Sequence, residues 1–300
     1  RECHALRTAV GMIEISGFAK YEITGPDAEA FLDRILACKL PAKHGRTVLA
    51  PMLNNNGGII GDFTVTRIND TNFYLVGAGA AERFHMRHFD DKIGDHNVTI
   101  TPVTAQRAGL AIAGPNSRTL LERLTTDDVS GETFKFLQTR DMEAAGLPCR
   151  VMRISFTGDL GYEIHLPAEY QRALYHALRE AGEDLGLTLC GARALDALRL
   201  EKGYGRWGSE FTADTTPEEA GLDRFVAMDK GEFVGRAALA KVHNEGPRYR
   251  MATVIVDAKD ADCWGNEPVL KDGEVVGVVS SGGYGHHVDK SIAMVFLNPD

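Results

Sequence analysis

Long apolar runs are missing from this sequence. No window approaches the ~18 consecutive apolar residues of a membrane-spanning helix, and the N-terminal stretch RECHALRTAV lacks the apolar segment of a secretory signal. Cysteine is sparse and unpatterned. The five residues Cys3, Cys38, Cys149, Cys190 and Cys263 are odd in number and show no CxxC spacing. That argues against a disulfide framework or a cysteine-ligated metal. It fits free thiols in a reducing compartment, cytoplasmic or, in a eukaryote, the mitochondrial matrix. Positive charge is not in excess either. A net charge of −9 argues against nucleic acid or an anionic membrane as the main partner, yet a few Arg or Lys in a cleft suffice for a small anionic ligand. The G-x-S-x-G, H-E-x-x-H and P-loop patterns are absent, and Gly77-Ala-Gly-Ala-Ala81 lacks the third glycine and the context of a dinucleotide loop. An initiator methionine is absent too: the chain starts at Arg1 and stops soon after the apolar run Ile292-Ala-Met-Val-Phe296, which reads as a strand without a following turn or partner. Both ends lead us to expect a processed chain or part of something longer.

What is present is organised around an internal echo. Ile23-Thr-Gly-Pro-Asp27 runs into AEAFLDRIL, and Ile112-Ala-Gly-Pro-Asn116 runs into SRTLLERLT. In each, a strand-like segment meets Gly-Pro, then Asp27 or Asn116, placed to cap a helix. The helices share apolar positions: Phe31, Leu32 and Ile35 in the first, Leu120, Leu121 and Leu124 in the second. Two copies of one strand–helix unit predict two similar halves. The turn Asn54-Asn-Asn-Gly-Gly58 leads into an alternating strand at 63–68, and Asn69-Asp-Thr-Asn72 turns it into a second strand at 73–76. Helices are expected at 80–91, 168–181 and 191–202, and strands at 150–155 and 161–166. From about Tyr249 short alternating strands at 251–256, 267–270 and 275–279 predict a small β-barrel or sandwich. The break falls near Asn244-Glu-Gly-Pro247.

Several side chains are candidates for chemistry. Asp62 follows Gly57-Gly-Ile-Ile-Gly61, where glycine lets a ligand approach; alone it reads as a turn carboxylate. Glu163 shares a strand face with His165 and is suited to pair with an N–H-bearing ring edge; alone it reads as solvent-facing. His85 and His88, one helical turn apart, are expected on a solvated helix face, and His286-His287 in a turn.

Three stretches together resemble the folate-binding family of the glycine-cleavage T-protein. They are Met52-Leu-Asn-Asn-Asn-Gly-Gly-Ile-Ile-Gly-Asp62, Phe156-Thr-Gly-Asp-Leu-Gly-Tyr-Glu163, and the run from Leu195 to Tyr204 that continues through Trp207-Gly-Ser-Glu210 and Thr216-Pro-Glu-Glu-Ala-Gly-Leu222 to Asp229-Lys-Gly-Glu-Phe-Val-Gly-Arg236. The pattern covers nearly the whole chain. Its version LRLEKGY…WG…TPEEAGL most resembles the C-terminal portion of dimethylglycine and sarcosine dehydrogenases. The resemblance implies an α+β fold: a three-part cloverleaf of two related α+β units, spanning 1–243, and a C-terminal β-barrel, spanning 244–300, around a central folate site.

The resemblance also implies chemistry. A carbon at the iminium or aminomethyl level, made by oxidising an N-methylated glycine on a flavin elsewhere, is captured by tetrahydrofolate as 5,10-methylenetetrahydrofolate. FAD is then expected in a preceding domain or partner subunit, a flavin-dependent dehydrogenase, and not in this chain. Asp62 corresponds to the carboxylate near the reacting nitrogens, Glu163 to the grip on the pterin edge, and Tyr204 to an aromatic of the pocket. Met52 and Trp207 lie in the matching motifs and are expected at the folate site. Three positions depart from the family: Leu49 replaces a Tyr, Ala78 an Asn, and Leu195 an Arg that meets the folate tail. Arg193, two residues before Leu195, is the candidate substitute, although on a helix that spacing changes face. These losses point away from glycine cleavage itself. Alternatives are a folate-dependent S- or O-demethylase yielding 5-methyltetrahydrofolate, or a non-catalytic partner domain. The iron–sulfur-assembly branch of the fold carries Lys-Gly-Cys-Tyr, which the Lys202-Gly-Tyr204 stretch lacks.

Overall fold

The structure, a computed structural model, describes residues 1–299. Its strands form three sheets. The first is antiparallel and five-stranded, in the spatial order Thr47–Leu53, Ile59–Asn69, Asn72–Gly77, Ala19–Thr24 and Thr99–Pro102. The second is six-stranded, in the order Leu187–Cys190, Val10–Glu14, Arg107–Ala113, Gly161–Pro167, Leu147–Met152 and Thr139–Ala144. Only its pairing of Val10–Glu14 with Leu187–Cys190 is parallel.

The echo in the sequence is a repeat in space. In each unit one strand enters a Gly-Pro turn and a helix, Ala28–Ile35 or Ser117–Glu122. A three-stranded meander follows, and its last strand pairs back onto the first. Gly25 and Gly114 occupy matching positions at φ 136° and 122°. A Cβ there would fall 2.4 Å from the Asn97 carbonyl oxygen or 2.5 Å from that of Leu6, so glycine is required at both. The capping expectation is corrected. Asp27 and Asn116 stand at the N-caps, but neither side chain caps its helix. The Asp27 carboxylate accepts the Asn97 N–H (2.7 Å) and Asn116 Nδ2 donates to the Leu185 carbonyl (3.1 Å). Each ties a helix start to a neighbouring loop, while backbone turn bonds from Ala28 and Ser117 to the two glycine carbonyls begin the helices. The repeat has one exception. Thr99–Pro102, after the meander, flanks the first unit; in the second, Val10–Glu14 from the chain start takes that place.

Each unit buries its helices against one sheet face. Phe31, Leu32, Phe63, Val65, Phe73 and Phe89 form the first core. Leu110, Ile112, Leu120, Tyr162, Ile164 and Leu174 belong to the second. Burial of each such side chain contributes roughly 1.5–3 kcal/mol. The remaining faces of the two sheets pack against each other, and this positions the site.

The third sheet is antiparallel, in the order Arg250–Val256, Lys290–Leu297, Glu274–Gly285 and Pro268–Lys271. Its end strands do not pair with each other among the described residues, so the expected barrel is an open sheet. The run 292–296, expected to lack a partner, is an inner strand bonded on both sides. The expected break at 244–247 falls partly within the helix Arg236–Glu245, which ends at Gly246. The third sheet is fastened by a buried ion pair. Arg199 Nη1 donates to Glu210 (3.0 Å), Arg199 Nη2 to Ser281 Oγ (2.9 Å), and Ser281 Oγ in turn to Glu210 (2.5 Å). With both charges wholly buried, loss of either partner would strand the other in a medium that solvates it poorly.

Candidate functional site between the two sheets

Strand alternation sets which side chains face the space between the sheets. On Ile59–Asn69, Phe63 and Val65 enter the core, so Asp62, Thr64 and Thr66 take the inner face. Their register partners Pro51, Leu49 and Thr47 share that face, as do Val76 and Tyr74 on the next strand and Lys20 and Glu22 beyond it. On Gly161–Pro167, Tyr162, Ile164 and Leu166 are core, leaving Glu163 and His165 inward. The sheets touch through Thr47, Thr66 and Thr139, whose hydroxyls hydrogen-bond at 2.7–3.3 Å. They touch again through Tyr74 and His165, and through the apolar contacts of Val76 and Met152.

Asp62 opens this inner face. Gly61 beside it admits no side chain: a Cβ would meet the Phe63 ring at 2.6 Å and His85 Nε2 at 3.1 Å. Asp62 Oδ1 is buried without a hydrogen-bond partner. Burial pushes its carboxyl up to about 7, with a backbone hydrogen bond opposing. A carboxylate with one bare oxygen and a proton affinity near neutrality can hold or release a proton at working pH.

Glu163 has different surroundings. It lines a narrow cleft with Phe18, Ile154, Phe156, Thr157 and Leu195. Its Oε2 is 3.5 Å from His165 Nε2. The fully buried Lys20 donates to the carbonyls of Ser16 (2.9 Å) and Phe18 (2.8 Å). Burial lowers the Lys20 ammonium to about 8, while Glu163, Glu14 and Glu82 oppose that shift. The expectation of a solvent-facing strand is therefore corrected: the second sheet is covered on this face too, and His165 is 1% exposed.

The other sequence candidates divide. Tyr204, half-exposed, stacks on Phe156 of the Glu163 cleft, with ring centroids 6.1 Å apart and planes at 30°. Trp207 packs on His85 and Phe84, and its Nε1 is buried with no partner. Met52 is corrected. It is wholly buried in the first core, because it alternates with Pro51 and Leu53 onto the helix-covered face. Arg193 is also corrected: it is exposed on the helix Ala192–Leu200, while Leu195 of that helix lines the cleft. Two residues along a helix are about 200° apart, so Arg193 does not take over that position.

His85, expected on a solvated face, is a buried core residue bonded to Tyr21 Oη (3.0 Å), and burial lowers it to about 4. His88 is lowered to about 4 by burial as well. No cluster of metal-binding side chains occurs among the described residues. Lys20, Tyr74 and His165 were missed as functional candidates. Lys20 and Tyr74 fall within ordinary strand patterns, and no local signal marks what they meet across the sheets. Arg7 was also missed. It ties the first helix, Glu2–Thr8, to Asp159, to Glu201 (2.7 Å) and to the Thr157 carbonyl (2.6 Å), bracing the mouth of the Glu163 cleft.

Two family descriptions match this chain: the GCVT N-terminal domain over residues 1–230 and the glycine cleavage T-protein C-terminal barrel domain over 249–300. Among curated proteins it is 36% identical over 291 residues to the mitochondrial dimethylglycine dehydrogenase of Rattus norvegicus, covering 96% of this chain and 34% of that protein. It is 33% identical over 299 residues to an aminomethyltransferase of Caldanaerobacter subterraneus, covering 99% of this chain and 79% of that protein. The crystal structure of the glycine cleavage system aminomethyltransferase T from Bartonella henselae superposes with a TM-score of 0.89 at 27% identity, covering 99% of this chain and 80% of that one. The chain thus spans about a third of the length of the dehydrogenase it matches. With most of its length inside these matches and the repeated two-sheet frame in place, the chain belongs to the glycine-cleavage T-protein family, as an aminomethyltransferase-like domain homologous to part of the dimethylglycine and sarcosine dehydrogenases.

Proposed function

We propose that the space between the two sheets binds tetrahydrofolate and transfers a one-carbon unit onto it. The donor is an iminium or aminomethyl carbon from an N-methylglycine-type substrate, and the product is 5,10-methylenetetrahydrofolate. The observation that carries this reading is Asp62: a carboxylate with a bare buried oxygen, pushed up to about 7, on the sheet that faces Glu163. The residues fit such a ligand. Unpaired buried polar atoms at Asp62, Thr64 and Trp207 call for a polar partner, since an unmet buried polar group costs ~1–3 kcal/mol. The aromatic faces of Tyr204 and Phe156 suit a flat heterocycle.

Bound tetrahydrofolate supplies the nucleophilic nitrogens. Asp62 accepts and holds the proton released as the new bond to carbon forms, and its ionised form stabilises cationic character at the carbon. Glu163 accepts the paired N–H donors of the ring edge and fixes its orientation. Tyr204 covers one face. Enclosure between the sheets excludes water and limits loss of the carbon as formaldehyde.

Leu49 and Leu195 support a donor other than a glycine-cleavage intermediate, because the polar groups usual at those positions are apolar here. A flavin-dependent dehydrogenase domain or subunit carrying FAD is the proposed source of the oxidised carbon. The proposed division is a folate-binding region at 1–243 and a C-terminal sheet region at 244–300. The first test is calorimetric titration of the 300-residue chain with tetrahydrofolate. Saturable binding at micromolar ligand is expected, and no heat at millimolar ligand would rule the reading out.

A further inference from the structure

The proposed chemistry leaves the buried inner-face groups Lys20, Tyr74 and His165 unused, and His165 is the one that touches a proposed ligand-binding side chain. His165 is 1% exposed and stands between two partners. Its Nδ1 is 2.8 Å from Tyr74 Oη, on the other sheet. Its Nε2 is 3.5 Å from Glu163 Oε2 and has no hydrogen-bond partner. We infer that His165 is a positioning residue for Glu163, held in one tautomer by Tyr74, so that a side chain of the first unit orients the ligand-gripping carboxylate of the second.

The hydrogen-bond inventory sets the direction. A neutral imidazole carries one N–H and one acceptor nitrogen. If Tyr74 donates to Nδ1, the ring proton lies on Nε2 and points at the Glu163 carboxylate. If instead Nδ1 carries the proton, the Nε2 lone pair faces a carboxylate oxygen, and the two repel. The first arrangement satisfies both nitrogens and the second satisfies one. Burial favours the neutral ring and a protonated phenol. The charged groups facing His165 are Glu163 on its own strand, Arg150 on the paired strand and Lys20 across the gap. Arg150, the register partner of His165 on the next strand, lies 4.8 Å over the Tyr74 ring and is held by Asp141 at 2.7 Å, so a second side chain of the same sheet braces the phenol. At 3.5 Å the His165–Glu163 contact is long for a hydrogen bond.

This inference rests on reading Glu163 as a ligand contact, and the experiment separates the two. Tetrahydrofolate is titrated into the chain and into His165→Phe, His165→Gln, Glu163→Gln and the Glu163→Gln/His165→Phe pair. His165→Phe should weaken binding about tenfold, the scale of one hydrogen bond to a charged group. His165→Gln, whose amide N–H can reach the carboxylate, should recover most of that loss; a role in packing alone would not be rescued. On the Glu163→Gln background His165→Phe should add little, because its effect runs through Glu163. Losses that multiply would overturn the inference. If Glu163→Gln binds as the wild type does, the reading of Glu163 fails instead. Nitrogen-15 NMR of the ligand-free chain then decides the His165 contact by itself. A proton on Nε2 whose signal moves in Glu163→Gln supports the inference, and a proton on Nδ1 overturns it whatever the folate data show.

Discussion

The two halves of the molecule share one plan and place a carboxylate on their facing surfaces, yet they treat those carboxylates in opposite ways. Asp62 in the first half stands beside a glycine, with one oxygen bare and burial raising its proton affinity. Glu163 in the second half has the buried Lys20 ammonium and the His165 ring beside it. Nor do they occupy equivalent strands: Asp62 is on the middle strand of its meander and Glu163 on the last. A repeated frame therefore does not imply repeated chemistry. Two carboxylates in contrasting environments can divide proton handling from ligand grip.

The contrast can be broken most sharply at Asp62. Asp62→Asn should lower one-carbon transfer on the order of 100-fold or more, the scale of a lost general base, while tetrahydrofolate affinity changes less than about threefold. Product formation and calorimetric binding on the same variant check this. Equal losses in both would place Asp62 among the binding groups and erase the contrast.

A smaller effect is expected on the other side. Lys20→Met keeps the length and removes the charge beside Glu163. Tetrahydrofolate binding should weaken about three- to tenfold, the scale of one lost charge interaction of ~1 kcal/mol. Thermal stability should fall by about 1–3 kcal/mol, since methionine leaves the Ser16 and Phe18 carbonyls without their donor. Unchanged affinity would separate Lys20 from Glu163 function.

The smallest effect is a pH dependence of stability. The Asp62 carboxyl is raised in the fold from 3.8 to about 7, so the folded state binds the proton more tightly than the unfolded one. Stability is then lost as pH rises from about 4 to about 7. Asp62→Asn removes this term. Its melting temperature should match wild type near pH 4, exceed it by a few degrees near pH 8 and gain little above that. A constant difference across pH would show that Asp62 is not the titrating group.

Much of this architecture was legible in the residues. The paired Gly-Pro turns announced the repeat because a left-handed backbone position before a helix demands glycine. Alternation located the strands around Asp62 and Glu163, and the compound motif carried the family. Legibility ended where a residue's neighbours came from another part of the chain. The same local pattern serves a wet face and a covered one, which is why Glu163, His165 and His85 read as solvent-facing. Met52 belongs to a motif, but strand parity turned it into the core. Asp27 and Asn116 look like caps, yet loops folded against them offered other hydrogen-bond partners.

The sequence by itself determined the strand and helix units, their duplication and the family, because each depends on local backbone geometry or on motif order. Only the tertiary structure decided that the two sheets cover each other's inner faces. That packing removes water from Asp62, buries Lys20 and His165, and brings Tyr74 to a histidine 91 positions away. Desolvation and inter-sheet hydrogen bonds arise only on packing, and they give the two carboxylates their contrasting surroundings.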